Sequence, residues 1–258
     1  MRGIRVQGSR HIRSVTVQGG MLRVGEKEDT FFSSTISATA AQAISYSRRS
    51  FLTHNHMSHL LIIDPQVSFH PGGSLAIPTA DEDAARIADL ISSNIEKIDS
   101  ITVTLDSHHK LHIAHPLFWD DAGGGHPPPF TLITNADVYS GKWTPSNLEN
   151  KEWCLSYTAA LEKAGKFTLC IWPEHCLMGS EGHNVVPVIN EALNKWIAGD
   201  ARRSINWVMK GQNLLTEMYS AMAADVPVPS DPSTQFNQPL FDSLQASSKL
   251  LVCGQAMR

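Results

Sequence analysis

The run Asp106-Ser-His108-His-Lys-Leu-His112 sets a carboxylate two residues before the imidazole of His108, with that of His112 four residues further on. In an extended segment, side chains at i and i+2 project to the same side. Asp106 and His108 can therefore face one ion, and His175, in Trp172-Pro-Glu-His175, is the natural ligand to arrive from elsewhere in the chain. One Asp and two His with open positions suit zinc, iron or manganese and leave room for water or substrate. A histidine-rich turn can equally be a surface loop. His109, His115 and His126 are weaker candidates, because only local abundance supports them.

Two further residues carry acid-base chemistry. Asp64 follows the apolar run Leu60 to Ile63, and Lys210 follows Ser204 to Val208. Asp106 and His175 likewise follow the runs Ile101 to Leu105 and Phe167 to Ile171. Taken singly, an Asp after a strand is a turn or cap residue and a lysine is solvated. In an open α/β sheet, however, the ligand site lies beyond the carboxyl ends of the strands, so four such residues would meet in one crevice.

The elements that must position them follow from periodicity. Five short runs rich in β-branched residues or leucine, the four above and Lys249 to Cys253, read as strands buried on both faces. Between the first two, Ala84, Ile87, Ile91, Ile95 and Ile98 recur at helical spacing, and Thr79 with Glu82 has capping-box spacing. Helices are also predicted over Leu148 to Ala164, Val185 to Ile197 and Gln212 to Ala223. Strand and helix in alternation imply an α/β fold, a Rossmann-like parallel sheet with helices on both faces. Residues 116–147, rich in Gly and Pro, read as a loop insertion on that frame, and Val226 to Pro239 reads as a loop.

Composition excludes several classes. With 42% hydrophobic and 18% charged residues, the 258-residue chain is globular rather than disordered, collagenous or coiled-coil. Its apolar runs are far shorter than the ~20 residues of a membrane span. Four cysteines are too sparse for a disulfide scaffold, and a net charge of -4 gives no global attraction to nucleic acid or anionic lipid. Charge is uneven: residues 1–59 sum to +5 and residues 60–258 to -9. The first part, with five arginines and no acid in its first 25 residues, is a basic, Ser/Thr-rich leader. It has the composition of an organelle transit peptide or, equally, of an untargeted disordered leader. A cytoplasmic location and a mitochondrial or plastid one both stay open.

Five motifs then fall in order over residues 60–258: Leu61-Ile-Ile-Asp64-Pro-Gln-Val-Ser-Phe69, Pro71-Gly-Gly-Ser-Leu75, Thr104-Leu-Asp106-Ser-His108 with His112, Trp172-Pro-Glu-His175-Cys176, and Lys210-Gly211 with Tyr219-Ser-Ala221. Together they resemble the motifs of nicotinamidases and the wider isochorismatase-like cysteine hydrolases. The resemblance implies the isochorismatase-like hydrolase fold and hydrolysis of nicotinamide, or a related small amide, in NAD salvage through a Cys-Asp-Lys triad. It assigns Asp64 as the catalytic carboxylate that carries the nucleophile's proton, and Lys210 as the cation beside it. Asp106, His108 and His175 match metal ligands, zinc foremost with manganese or iron as alternatives. His112 matches a further histidine at the site. Phe69 and Trp172 match aromatic walls of the substrate pocket, although either can be plain core packing. The implied partner is a small amide, with no nucleic acid or membrane, and assembly into a homo-oligomer is left open.

The nucleophile is where the chain departs from the pattern. In the family a Gly ends the last of these strands and the cysteine follows six positions later, whereas here Gly254 is followed only by Gln255 to Arg258. The reading is thus of a domain incomplete at its C-terminus, without a nucleophile in this chain and inactive as it stands. Cys253 lies on the strand before the turn and reads as a core residue. A non-catalytic module that keeps the metal and ligand pocket, or an isochorismatase-like hydrolase of another substrate, are the alternatives.

Overall fold

A computed structural model of the chain describes residues 58–165 and 167–255, and the backbone of 15–18 and 21–24. Val15–Gln18 and Met21–Val24 pair antiparallel. The rest of the basic leader lies outside the described residues, as do 256–258, except that Ser58 and His59 open the first strand of the sheet.

Four strands form the central sheet: β1 (Ser58–Ile63), β2 (Ser100–Asp106), β3 (Ile205–Lys210) and β4 (Lys249–Gly254). Their order is β4-β1-β2-β3, and every pair is parallel. Four helices accompany them: α1 (Ala80–Ser93), α2 (Lys151–Ala164), α3 (Pro187–Ala198) and α4 (Gln238–Gln245).

Side-chain alternation explains why the sheet needs cover on both sides. Leu60 and Ile62 face one way, with Ile101 and Val103, and meet Ile87 and Ile91 of α1 and Ile189, Leu193 and Trp196 of α3. Leu61 and Leu250 face the other way, against Leu240 and Leu244 of α4. Fully burying each such leucine or isoleucine favours folding by about 1.5–3 kcal/mol. The fold is α/β with helices on both faces, as the alternation of apolar runs predicts.

Several local expectations are corrected. Thr79 precedes α1 but its side chain makes no cap hydrogen bond; Asp81, Glu82 and Asp83 in the first turn complement the helix dipole instead. The run Phe167 to Ile171 contributes only Leu169–Cys170, which pairs antiparallel with Leu132–Ile133 outside the central sheet. No helix forms over Gln212 to Ala223; Thr216, Glu217 and Met218 are buried there in irregular backbone. α4, which starts inside the stretch read as a loop, has its N-terminus capped by Asn237, whose side chain accepts from Leu240 N.

Residues 116–147 are more than a loop. Trp119, Ile133 and Val138 bury themselves against Cys154, Tyr157 and Leu161 of α2, together with Leu169 and Ile171, in a second core beside the sheet. The short helix Asn135–Tyr139 in this segment is started by a capping box, Thr134 with Asp137. Apolar side chains spaced irregularly between glycines and prolines carry no period, so this core has no sequence signature.

Candidate metal and acid-base site

The carboxyl ends of β1, β2 and β3 bring the charged residues together. Asp106 and Lys210 are register partners on neighbouring parallel strands, so their side chains leave the sheet on the same side. Lys210 Nζ lies 2.9 Å from Asp106 Oδ1 and 3.0 Å from Asp64 Oδ2. All three side chains are buried. Asp64 turns out of β1 with φ at 46°, a left-handed conformation that costs a non-glycine residue energy and that its surroundings hold in place. Its backbone N–H donates to Thr104 O at 3.1 Å, and Thr104 Oγ1 donates to its Oδ1 at 2.6 Å.

Gln66, fully buried, clamps the other side of the site. Its Nε2 donates to Asp106 O and its Oε1 accepts from Asp106 N, both at 2.7 Å, and Nε2 also donates to His183 O at 3.0 Å. An Asp-Pro-Gln tripeptide carries no hint of this role, which exists only because the β1 exit passes the end of β2.

His175 reaches Asp106 by a different route from the one its sequence position suggests. His108 forms a parallel bridge with Leu177: His108 N donates to Cys176 O at 3.1 Å and Met178 N donates to His108 O at 3.0 Å. That bridge draws the His175 loop over the end of β2. Asp106 Oδ2 then stands 3.1 Å from His108 Nε2 and 3.3 Å from His175 Nε2. Phe69, also buried, packs its ring 5.7 Å from that of His175. Trp172 meets Phe130 and Tyr219, and its Nε1 donates to Tyr219 Oη at 3.1 Å.

Four imidazoles cluster here: the His108 ring lies 4.5 Å from His112, 5.2 Å from His115 and 4.9 Å from His175. Their hydrogen bonds sort them. His108 Nδ1 donates to Gly211 O at 3.0 Å, His175 Nδ1 to Pro173 O at 2.8 Å and His115 Nδ1 to Lys110 O at 3.3 Å. A carbonyl only accepts, so each Nδ1 carries the proton and Nε2 is the remaining nitrogen. His112 is reversed: Nε2 donates to Thr216 O at 3.1 Å and Nδ1 accepts from Ala114 N at 3.2 Å. Both of its nitrogens are committed to backbone. Its Nδ1 is therefore not free for an ion, and His112 stands beside His108 without joining a ligand set.

His115 Nε2, by contrast, is buried with no hydrogen-bond partner among the described residues. One ring nitrogen from each of His108, His115 and His175 lies within 4.8 Å of the other two, a group able to hold a metal ion. Among the candidates set aside for lack of a pattern, His115 is thus the one that folding brings to the site. Glu217 was not foreseen at all. It is buried, its Oε1 accepts from Met218 N at 3.1 Å, and burial pushes its carboxyl up.

Electrostatics follow burial and neighbours. Burial raises Asp64 above the ordinary carboxylate value against the pull of Lys210. Burial would raise Asp106 too, but His108 and Lys210 hold it well below that value. Lys210 is desolvated, yet Asp106 and Asp64 push its ammonium up and keep it charged. Burial and the neighbouring His108 drive His112 well below the usual histidine range, and burial with His108 and His175 lowers His115 to about 3. Three thiols are held protonated by the same logic: burial pushes Cys154 and Cys253 up to about 12, and Cys176 higher still.

No family model matches the chain, and no curated protein matches it. Similar solved structures include a nicotinamidase/pyrazinamidase of Acinetobacter baumanii, 20% identical over 77% of this chain and 70% of that one, with a TM-score of 0.46. Yeast nicotinamidase bound to nicotinaldehyde is 23% identical, with a TM-score of 0.44, and the match covers 65% of this chain and 63% of that one. The pyrazinamidase of Pyrococcus horikoshii in complex with zinc is 18% identical over 76% of this chain and 69% of that one, at a TM-score of 0.40.

Proposed function

We propose that this site belongs to a hydrolase of small amides of the nicotinamide class, releasing the acid and ammonia. One observation carries the reading: Lys210 joins Asp64 to Asp106 inside a buried site and so ties a proton-carrying carboxylate to a histidine cluster suited to a metal. Asp64 is the proton carrier. Its carboxyl, raised by burial and oriented by Thr104 Oγ1 and Lys210, accepts the proton of a nucleophilic thiol and returns it to the departing amine. Lys210 holds positive charge beside that exchange.

The donor set fits a divalent ion: a carboxylate and two imidazoles share Asp106 Oδ2, and the Nδ1–H···O=C bonds of His108 and His175 orient the rings as ligating histidines require. Asp106, His108 and His175 would hold the ion, zinc foremost. When bound, it would supply a Lewis-acid contact for a ring nitrogen of the substrate. Phe69, packed on His175, is the aromatic wall nearest that contact.

The resemblance sets the nucleophilic thiol six positions after Gly254, and burial disfavours the thiolate at Cys154, Cys176 and Cys253. The test is ammonia release from nicotinamide by residues 1–258 and by a chain extended through the next in-frame cysteine. Activity confined to the longer chain, and lost in its Asp64→Asn and Lys210→Met variants, supports the reading. Equal turnover by the shorter chain would show the nucleophile to be misassigned. Inactivity of both would favour the second reading, a non-catalytic metal- and ligand-binding module, for which the raised thiols of Cys154, Cys176 and Cys253 speak.

A further inference from the structure

His115 has no place in the family motif, yet it is the residue whose surroundings ask most plainly for a ligand. Its side chain is completely buried, Nδ1 is fixed on Lys110 O, and Nε2 has no hydrogen-bond partner among the described residues. A buried imidazole nitrogen without a partner forfeits its hydration, at a cost of about 1–3 kcal/mol. The nearest groups are other imidazoles: its ring lies 5.2 Å from His108 and 5.5 Å from His175.

We infer that His115 is a metal ligand through Nε2, completing a three-histidine set with His108 and His175, and that His112 is not one. The inference rests on the metal reading above and sharpens it. In all three histidines the Nδ1–H is bound to a backbone carbonyl, which fixes the tautomer and ring angle and leaves Nε2 to face the ion. Ligand nitrogens within 4.8 Å of one another close to about 3.4 Å around a tetrahedral zinc with bonds of about 2.0–2.1 Å, a side-chain adjustment rather than a refolding. His112 cannot take this part, because its Nε2 donates to Thr216 O and its Nδ1 accepts from Ala114 N. Three imidazoles select a borderline divalent ion such as zinc over magnesium or calcium, which prefer oxygen. Asp106, one oxygen of which is held by Lys210, then serves as a fourth ligand through Oδ2 or as an acceptor beside the ion.

The test is titration of the metal-free 258-residue protein with Co²⁺ and Zn²⁺. Affinity is read from competition with a chelating dye, coordination from the visible Co²⁺ spectrum and stability from thermal unfolding with and without metal. The variants are His115→Phe and, as a surface control, the exposed His109→Ala. The expected result is that His115→Phe weakens both ions by at least about tenfold and changes the Co²⁺ band intensities. Its Tm without metal should change little, since removal of the unpaired buried Nε2 offsets loss of the Nδ1–H bond to Lys110 O. Wild-type affinity and spectrum in His115→Phe would overturn the assignment while leaving the metal reading intact. Failure of the wild-type protein to bind either ion would overturn both.

Discussion

Lys210 Nζ stands 3.0 Å from Asp64 Oδ2 where neither side chain meets water, and the same ammonium reaches Asp106 Oδ1 at 2.9 Å. One cation therefore serves two carboxylates, and Asp106 in turn raises His108 above its usual value against the lowering by burial. The acid-base pair and the histidine cluster are parts of one connected network through Asp106.

Removing the shared cation should be severe. Lys210→Met leaves two buried carboxylates without their partner, and loss of one member of a buried ion pair costs about 3–5 kcal/mol. Asp64→Asn, which can keep the contact with Thr104, should cost less. Urea denaturation of Lys210→Met, Asp64→Asn, Asp106→Asn and the Lys210→Met/Asp106→Asn double variant checks this, and the Lys210→Met and Asp106→Asn costs should not add.

Acid should unfold the protein through its neutral histidines. In the unfolded chain His112 and His115 titrate near 6.5, whereas in the fold His112 lies well below that value and His115 at about 3. As pH falls below about 6.5 the unfolded chain takes up protons that the fold refuses, so stability declines by roughly 1.4 kcal/mol per pH unit per histidine. His108, raised in the fold, adds no slope below 6.5, and its contribution is lost only as pH rises through its higher folded value. Asp64 and Glu217, raised by burial, bind protons in the fold and offset part of the loss in the more acid range. Unfolding free energy measured from about pH 7 to about pH 5 should fall, and His115→Phe should flatten that slope.

Gly211 should not tolerate a side chain. Its φ is +78°, and a Cβ there would stand 2.7 Å from His108 Cε1 and 3.2 Å from Asp106 Oδ1. Gly211→Ala combines strain of about 1–3 kcal/mol with displacement of His108. Thermal unfolding should show the loss of stability, and metal titration should show a weaker site.

Gln66→Leu should loosen Asp106 without touching its carboxylate. The change strips partners from Asp106 N, Asp106 O and His183 O, and each buried polar group left unpaired costs about 1–3 kcal/mol. Denaturation should show a loss of at least about 2 kcal/mol. Amide exchange at Asp106 should accelerate more than at Val103, in the middle of β2.

What the sequence by itself determined is what short range can encode. Leu60 to Ile63 and Ile101 to Leu105 are too apolar, and too rich in β-branched residues and leucine, to be anything but strands covered on both faces, and the spacing of Ala84, Ile87 and Ile91 allows only a helix with one buried side. Strand ends in a parallel sheet share an edge, so Asp64, Asp106 and Lys210 were bound to approach one another once those strands were recognised. Tertiary structure decided the rest. Leu169–Cys170 left the sheet because its partner, Leu132–Ile133, lies in a segment whose apolar residues follow no period. His175 reached the site through a bridge at Leu177 rather than along a neighbouring strand. The choice between His112 and His115 turned on which ring nitrogen meets a backbone carbonyl, and spacing along the chain cannot express that. Period and composition report which face of an element is buried; a single hydrogen bond between residues a hundred positions apart, such as His112 to Thr216, exists only after the whole fold has closed.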